Sequence, residues 1–132
     1  MIRIFNPTTG LKLTEFRRGT TPSAINDLSF DTQSKYLTCT SDKGTIHIFK
    51  TGHLLSQGAS GNTKSNFQLL SSVVPIAGSE WSFAQFRLDP AQVSEYDLRA
   101  VVRGEKLHVV TKKGWYLCVE ITKAGGSLTN YT

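Results

Sequence analysis

The chain has 132 residues, of which 39% are apolar and 19% charged, and its formal charge is +5. That suffices for one domain around a single core, and no run approaches the roughly 20 apolar residues that would cross a bilayer. The basic balance favours anionic partners without choosing among them. In chain order, the runs rich in β-branched and aromatic residues are Ile2–Asn6, Lys12–Arg17, Ile25–Phe30, Tyr36–Thr40, Thr45–Lys50, Trp81–Leu88, Leu98–Arg103, Lys106–Thr111 and Trp115–Ile121. Turn signals separate them: "NPTTG", "RRGTTPS", "DTQSK", "SDKG", "RGEK" and "KKG". No segment holds a 3.6-residue apolar period over helical length, so the chain reads as all-β with about nine strands. Cys39 and Cys118, in "YLTCT" and "WYLCVEI", make no disulfide framework and read as buried, reduced thiols of a cytosolic protein. No CxxC or HxxxH spacing suggests a metal site.

The strands repeat as a unit. "INDLSFDTQSKYLTCTSDKGTIHIFKTG" and "YDLRAVVRGEKLHVVTKKGWYLCVEIT" both read strand, turn, strand, glycine turn, strand. That is the pattern of a β-propeller blade, completed by a trailing strand, here "WSFAQFRL". Blades take roughly 40–45 residues and a propeller needs at least four. The expectation is a partial propeller of about two and a half blades of four-stranded antiparallel sheet. It is either a fragment of a larger ring or a unit that self-associates to complete one. Residues 1–19 would end one blade, 20–89 form the next and 90–132 the last.

Thr51–Ser79 interrupts the pattern. Structureless connections beyond about 12–15 residues are usually functional or disordered. No Asp or Glu occurs between Asp42 and Glu80, while Lys43, Lys50 and Lys64 do, with His47 and His53. An acid-free, lysine-bearing loop that carries Phe67, Leu69, Leu70, Val73 and Val74 suits an anionic membrane interface.

The stretch "LTEFRRGTTPSAIN" raises a further question, because a strand ends there in two adjacent arginines. Neighbouring strand residues point to opposite faces. Arg17 and Arg18 should therefore serve two separate places. The bland alternative is a pair of structural charges satisfied by Glu15 and Asp27.

"FRRGTTPSAINDLSF" followed by "SDKGTIHIF" closely resembles the PROPPIN family, the seven-bladed propellers that include the WIPI proteins. "NTKS", "SEWSFAQF" and "KKGWYLCVEITKAGGSLTNY" are similar to its blade six and last blade, so the resemblance spans essentially the whole chain. It implies that 1–19 closes blade five, 20–89 is blade six with the insertion 51–79, and 90–132 is blade seven. It also implies binding of phosphatidylinositol 3-phosphate and phosphatidylinositol 3,5-bisphosphate, without enzymatic activity or a cofactor. The protein would be a cytoplasmic effector, peripheral on preautophagosomal, endosomal or vacuolar membranes, working with autophagy proteins in membrane traffic. The two arginines would lie between two headgroup pockets. The family's pocket on the Arg17 side draws on a Ser- and Thr-bearing strand before "IRIF", which this chain lacks, so that pocket is expected to be incomplete.

Around Arg18 the residues to assemble are Ser41, Thr45 and His47, with Lys64 and Ser65 from the insertion. Arginine's fork suits phosphate oxygens. In "TIHIF", Thr45, His47 and Phe49 share one face and Ile46 and Ile48 the other. Protonated His47 would donate from both nitrogens, so mild acid is expected to strengthen binding. Asp42 reads as the cap of the "SDKG" turn, Lys112 and Lys113 as an exposed hairpin turn, and Trp81 and Trp115 as packing anchors. A protein-interaction scaffold is the competing function. Nucleic-acid motifs and catalytic constellations are not seen in the sequence.

Overall fold

The computed structural model describes residues 1–54, 62–64, 80–89 and 97–129. Ser65, Phe67, Leu69, Leu70, Val73 and Val74 lie outside the described residues. Twelve strands are described: β1 (Ile2–Phe5), β2 (Lys12–Arg17), β3 (Ile25–Phe30), β4 (Tyr36–Ser41), β5 (Thr45–Lys50), β6 (Thr63–Lys64), β7 (Glu80–Trp81), β8 (Ala84–Arg87), β9 (Leu98–Arg103), β10 (Lys106–Thr111), β11 (Tyr116–Glu120) and β12 (Gly126–Leu128). They form three sheets with orders β1-β2-β7-β6, β12-β8-β5-β4-β3 and β11-β10-β9. The fold is an all-β partial propeller, and the second sheet holds a four-stranded antiparallel blade, β3-β4-β5-β8.

Local chemistry sets the turns. Asn6 Oδ1 accepts from the backbone N–H groups of Thr8 and Thr9, which closes the β1–β2 hairpin. Between β4 and β5, Gly44 takes φ of 71° and donates to the Ser41 carbonyl. L-residues with a Cβ rarely adopt that conformation, which is why "SDKG" ends in glycine.

Two apolar interfaces hold the sheets together. Phe16, Leu37, Cys39 and Phe49 are fully or nearly fully buried between the first and second sheets, with Ile2 and Ile4 packed against them. The Phe16 and Phe49 rings stack at 4.7 Å. On the other side of the blade, Ile46, Ile48, Phe86, Leu98, Val102, Leu107, Val109 and Val119 belong to the larger core shared with the third sheet. Two buried hydrogen bonds cross this second interface. Thr38 and Thr40 on β4 donate to the carbonyls of Ala100 and Leu98 on β9, the edge strand of its sheet.

The sequence reading needs correction in four places. The expected single strand Trp81–Leu88 is two strands in two sheets: Glu80–Trp81 pairs parallel with β2, and Ala84–Arg87 completes the blade. Two short strands, β6 and β12, were not expected; β12 adds parallel to the outer edge of β8. Trp115 is 62% exposed and anchors nothing. Cys39 is a buried thiol as expected, but Cys118 is only half-buried.

Candidate functional site

The blade face turned toward the first sheet changes character along its length. On β4, Leu37, Cys39 and Ser41 share that face; on β5, Phe49, His47 and Thr45 do, and the register pairs Leu37 with Phe49 and Cys39 with His47. The apolar end packs on Phe16. The other end is polar and carries Ser41, Thr45 and His47. On β8 the register sets Gln85 beside His47 and Arg87 beside Thr45. Arg18 follows directly on β2 and acts electrostatically on His47, Cys39 and Asp42. The fold thus brings together four of the expected residues: Arg18, Ser41, Thr45 and His47.

At the polar end Ser41 and His47 are buried while Gln85 and Arg87 are exposed. Ser41 is fully buried and, among the described residues, its Oγ has no hydrogen-bond partner. An unsatisfied buried hydroxyl costs about 1–3 kcal/mol. His47 is 6% exposed and its Nδ1 lies 3.2 Å from Ser82 Oγ. Burial, and then the positive charge of Arg18, lower its pKa to about 4. Between pH 5 and 8 the imidazole is therefore neutral, and the expected strengthening in mild acid does not follow for the free protein.

The two arginines have different surroundings. Arg18 Nη2 donates to the Thr21 carbonyl at 2.6 Å, and its charge reaches His47. Arg17 shares a register position with Trp81, and its guanidinium carbon lies 5.8 Å from the centre of the Trp81 ring. Arg17 Nη1 donates to the Gly19 carbonyl at 3.4 Å, while its buried Nε has no partner among the described residues. Neither arginine is paired with the carboxylates offered by the bland reading. Glu15 binds Arg3 at 2.7 Å across the hairpin, with Lys12 at 3.8 Å, and Asp27 accepts from Ser29. Asp42 accepts a short hydrogen bond from Ser23, which together with the Ala24 backbone contact, Lys43 and Arg18 holds its pKa down; it ties the β3 entry to the turn rather than capping it.

The neck of the insertion is built into the first sheet. β6 pairs antiparallel with β7, with Thr63 opposite Trp81 and Lys64 opposite Glu80. That register sets the Lys64 backbone two strands from β2, about 10 Å along the sheet. Asn62 is buried and bonds in three directions: its amide accepts from Lys50 N–H at 2.6 Å and donates to Lys50 O and to Glu80 Oε2. His53 Nε2 lies 3.8 Å from the other Glu80 oxygen. Sequence reasoning missed Trp81 and Ser82 as neighbours of Arg17 and His47. The signal was there: "WSFAQF" has apolar residues on both faces, too many for one strand with a single buried side.

Comparison with known proteins places these motifs. No family model matches the chain. Autophagy-related protein 18 of Debaryomyces hansenii is 52% identical over 52 residues, 39% of this chain and 9% of that protein. Its namesake from Kluyveromyces lactis is 38% identical over 80 residues, 61% of this chain and 16% of that protein. Among solved structures, Kluyveromyces lactis Hsv2 with its complete loop 6CD aligns at a TM-score of 0.63 and 20% identity, over 98% of this chain and 40% of that one. A complex of KlAtg21 with the coiled coil of AgAtg16 aligns at 0.59 and 20% identity, over 97% of this chain and 32% of that one. Over these stretches the chain is similar to Autophagy-related protein 18, and its fold is that of the Hsv2 and Atg21 propellers. It spans less than a fifth of the curated relatives it matches and well under half of the solved propellers. Among the described residues, no helix is long and apolar enough to cross a membrane.

Proposed function

We propose that the chain carries the lipid-reading blades of an autophagy PROPPIN: a binding module, not an enzyme, that recognises phosphatidylinositol 3-phosphate or phosphatidylinositol 3,5-bisphosphate. In this reading Arg18, Ser41, Thr45 and His47 contact one headgroup, with Lys64 and Ser65 contributing from the insertion. Arg17 serves a second headgroup, and Phe67, Leu69, Leu70, Val73 and Val74 enter the bilayer. Residues 1–19, 20–89 and 90–132 then supply the main strands of the end of blade five, of blade six and of blade seven, with β6 and β7 joining the first sheet and β12 the second. The protein would be peripheral on preautophagosomal, endosomal or vacuolar membranes and would work with autophagy proteins.

The observation that carries the reading is an arginine that, among the described residues, has no carboxylate within ion-pair distance, and whose charge reaches a neutral histidine on the same blade face as a buried serine hydroxyl with no hydrogen-bond partner among those residues. A phosphate monoester supplies what that group lacks: charge for Arg18 and acceptors for the Ser41 hydroxyl and an imidazole N–H. The test is flotation with vesicles that contain phosphatidylinositol 3-phosphate or, at equal charge, phosphatidylserine, in physiological salt. Preference for the phosphoinositide, abolished in the Arg17→Thr/Arg18→Thr variant, supports the site. Equal binding to both lipids that collapses with salt points to simple charge attraction instead. Loss of vesicle binding in Phe67→Ser with soluble headgroup binding intact would support insertion.

A further inference from the structure

At the other end of β4 and β5, about 17 Å along the strands from Ser41 and Thr45, a cavity of about 210 Å³ opens between the second and third sheets. It is lined by the aromatic and apolar side chains of Phe83, Tyr36 and Ile121 together with Thr122, Lys50, Lys123 and Glu105. The Lys50 ammonium sits 3.8 Å from the centre of the Phe83 ring. Among the described residues, no ion pair joins Glu105 to either lysine, and neither lysine pairs with any other carboxylate. The nearby Asp31 is engaged by the backbone N–H groups of Gln33 and Tyr36.

We propose that this cavity is a docking site for a glutamate side chain of an acidic, apolar-flanked peptide segment of a partner protein. Three features select that occupant. The volume lies below the 300–1,000 Å³ of sites that enclose a drug-sized ligand, so it takes one anchoring side chain. Among the residues that line the cavity, two lysines against one carboxylate leave a single positive charge, which one carboxylate neutralises; Asp31 stands outside that lining and acts on Tyr36 less than Glu105 does, and a phosphate dianion would leave the filled cavity with a net negative charge. Phe83 and Tyr36 in the lining offer apolar surface to the methylene stem, which an inorganic anion does not have. The cavity lies between two sheets that this chain itself supplies, and the inference is independent of the arginine face.

The test is a titration of the ¹⁵N-labelled chain with the peptide acetyl-Ala-Leu-Glu-Leu-Ala-amide, its Gln analogue and inorganic phosphate. The expected result is saturable shifts of the Tyr36, Phe83 and Ile121 amides with the Glu peptide. The Gln analogue should bind about tenfold more weakly, the loss of a charge-assisted contact, and phosphate should leave those amides unmoved. Lys123→Gln, an exposed change that should not disturb folding, should weaken the Glu peptide several-fold, and Glu105→Gln should tighten it. The proposal is overturned if the Gln analogue binds equally well, if the shifts fall elsewhere, or if phosphate or phosphoinositide vesicles displace the peptide.

Discussion

His47 should make the protein acid-labile in a defined window. Its pKa falls from an ordinary 6.5 to about 4 in the folded chain, because burial and then Arg18 disfavour the charged ring. The unfolded state therefore binds the proton more readily, and stability rises with pH between these values. The contribution is intact above pH 6.5, falls by about 2 kcal/mol by pH 5, and reaches about 3 kcal/mol of loss below pH 4. With a urea m-value of about 1–3 kcal/mol/M, the midpoint should drop by roughly 1 M between pH 7.5 and pH 5 from this group alone. Urea titrations of the native chain and of His47→Asn isolate that share, since the variant keeps the other titrating groups. A phosphate bound beside Arg18 offsets its charge and raises the His47 pKa, so soluble headgroup should flatten the difference. The reasoning fails if the His47 ring titrates near 6.5 by NMR, or if His47→Asn loses as much stability in acid as the native chain.

Phe16→Ala should destabilise by about 3–5 kcal/mol in thermal or urea unfolding, since the ring is fully buried against Phe49; Leu13→Ala on the same strand, 44% exposed, should change little. Thr38→Val leaves the buried Ala100 carbonyl without its donor and should cost about 1–3 kcal/mol by the same measurement. At Gly125, with φ of 71°, a Cβ would clash with the Phe83 carbonyl oxygen and ring. Gly125→Ala should therefore break the Gly126 N–H to Phe83 O bond and speed hydrogen exchange in β12 by about tenfold or more.

What the sequence revealed followed from alternation. Ile46 and Ile48 against His47 and Phe49 predicted two faces of β5, and these residues do enter two different interfaces. Glycine turns gave the hairpin positions for the same local reason. The neck of the insertion was not legible, because strands of two residues carry no period and parallel pairing to β2 joins residues far apart in the chain. Nor was the state of His47. Its neutrality depends on how deeply neighbouring sheets bury it and on an arginine from another sheet, neither of which local pattern encodes.

The parallel pairing of Glu80–Trp81 with Phe16–Arg17 has a mechanical consequence. Tension applied to residues 65–79 enters the backbone at Lys64 and Glu80, in a ladder bonded to β2 rather than to the blade the chain next builds. The arginine strand thus bears the load first, ahead of the blade's own hydrophobic interior.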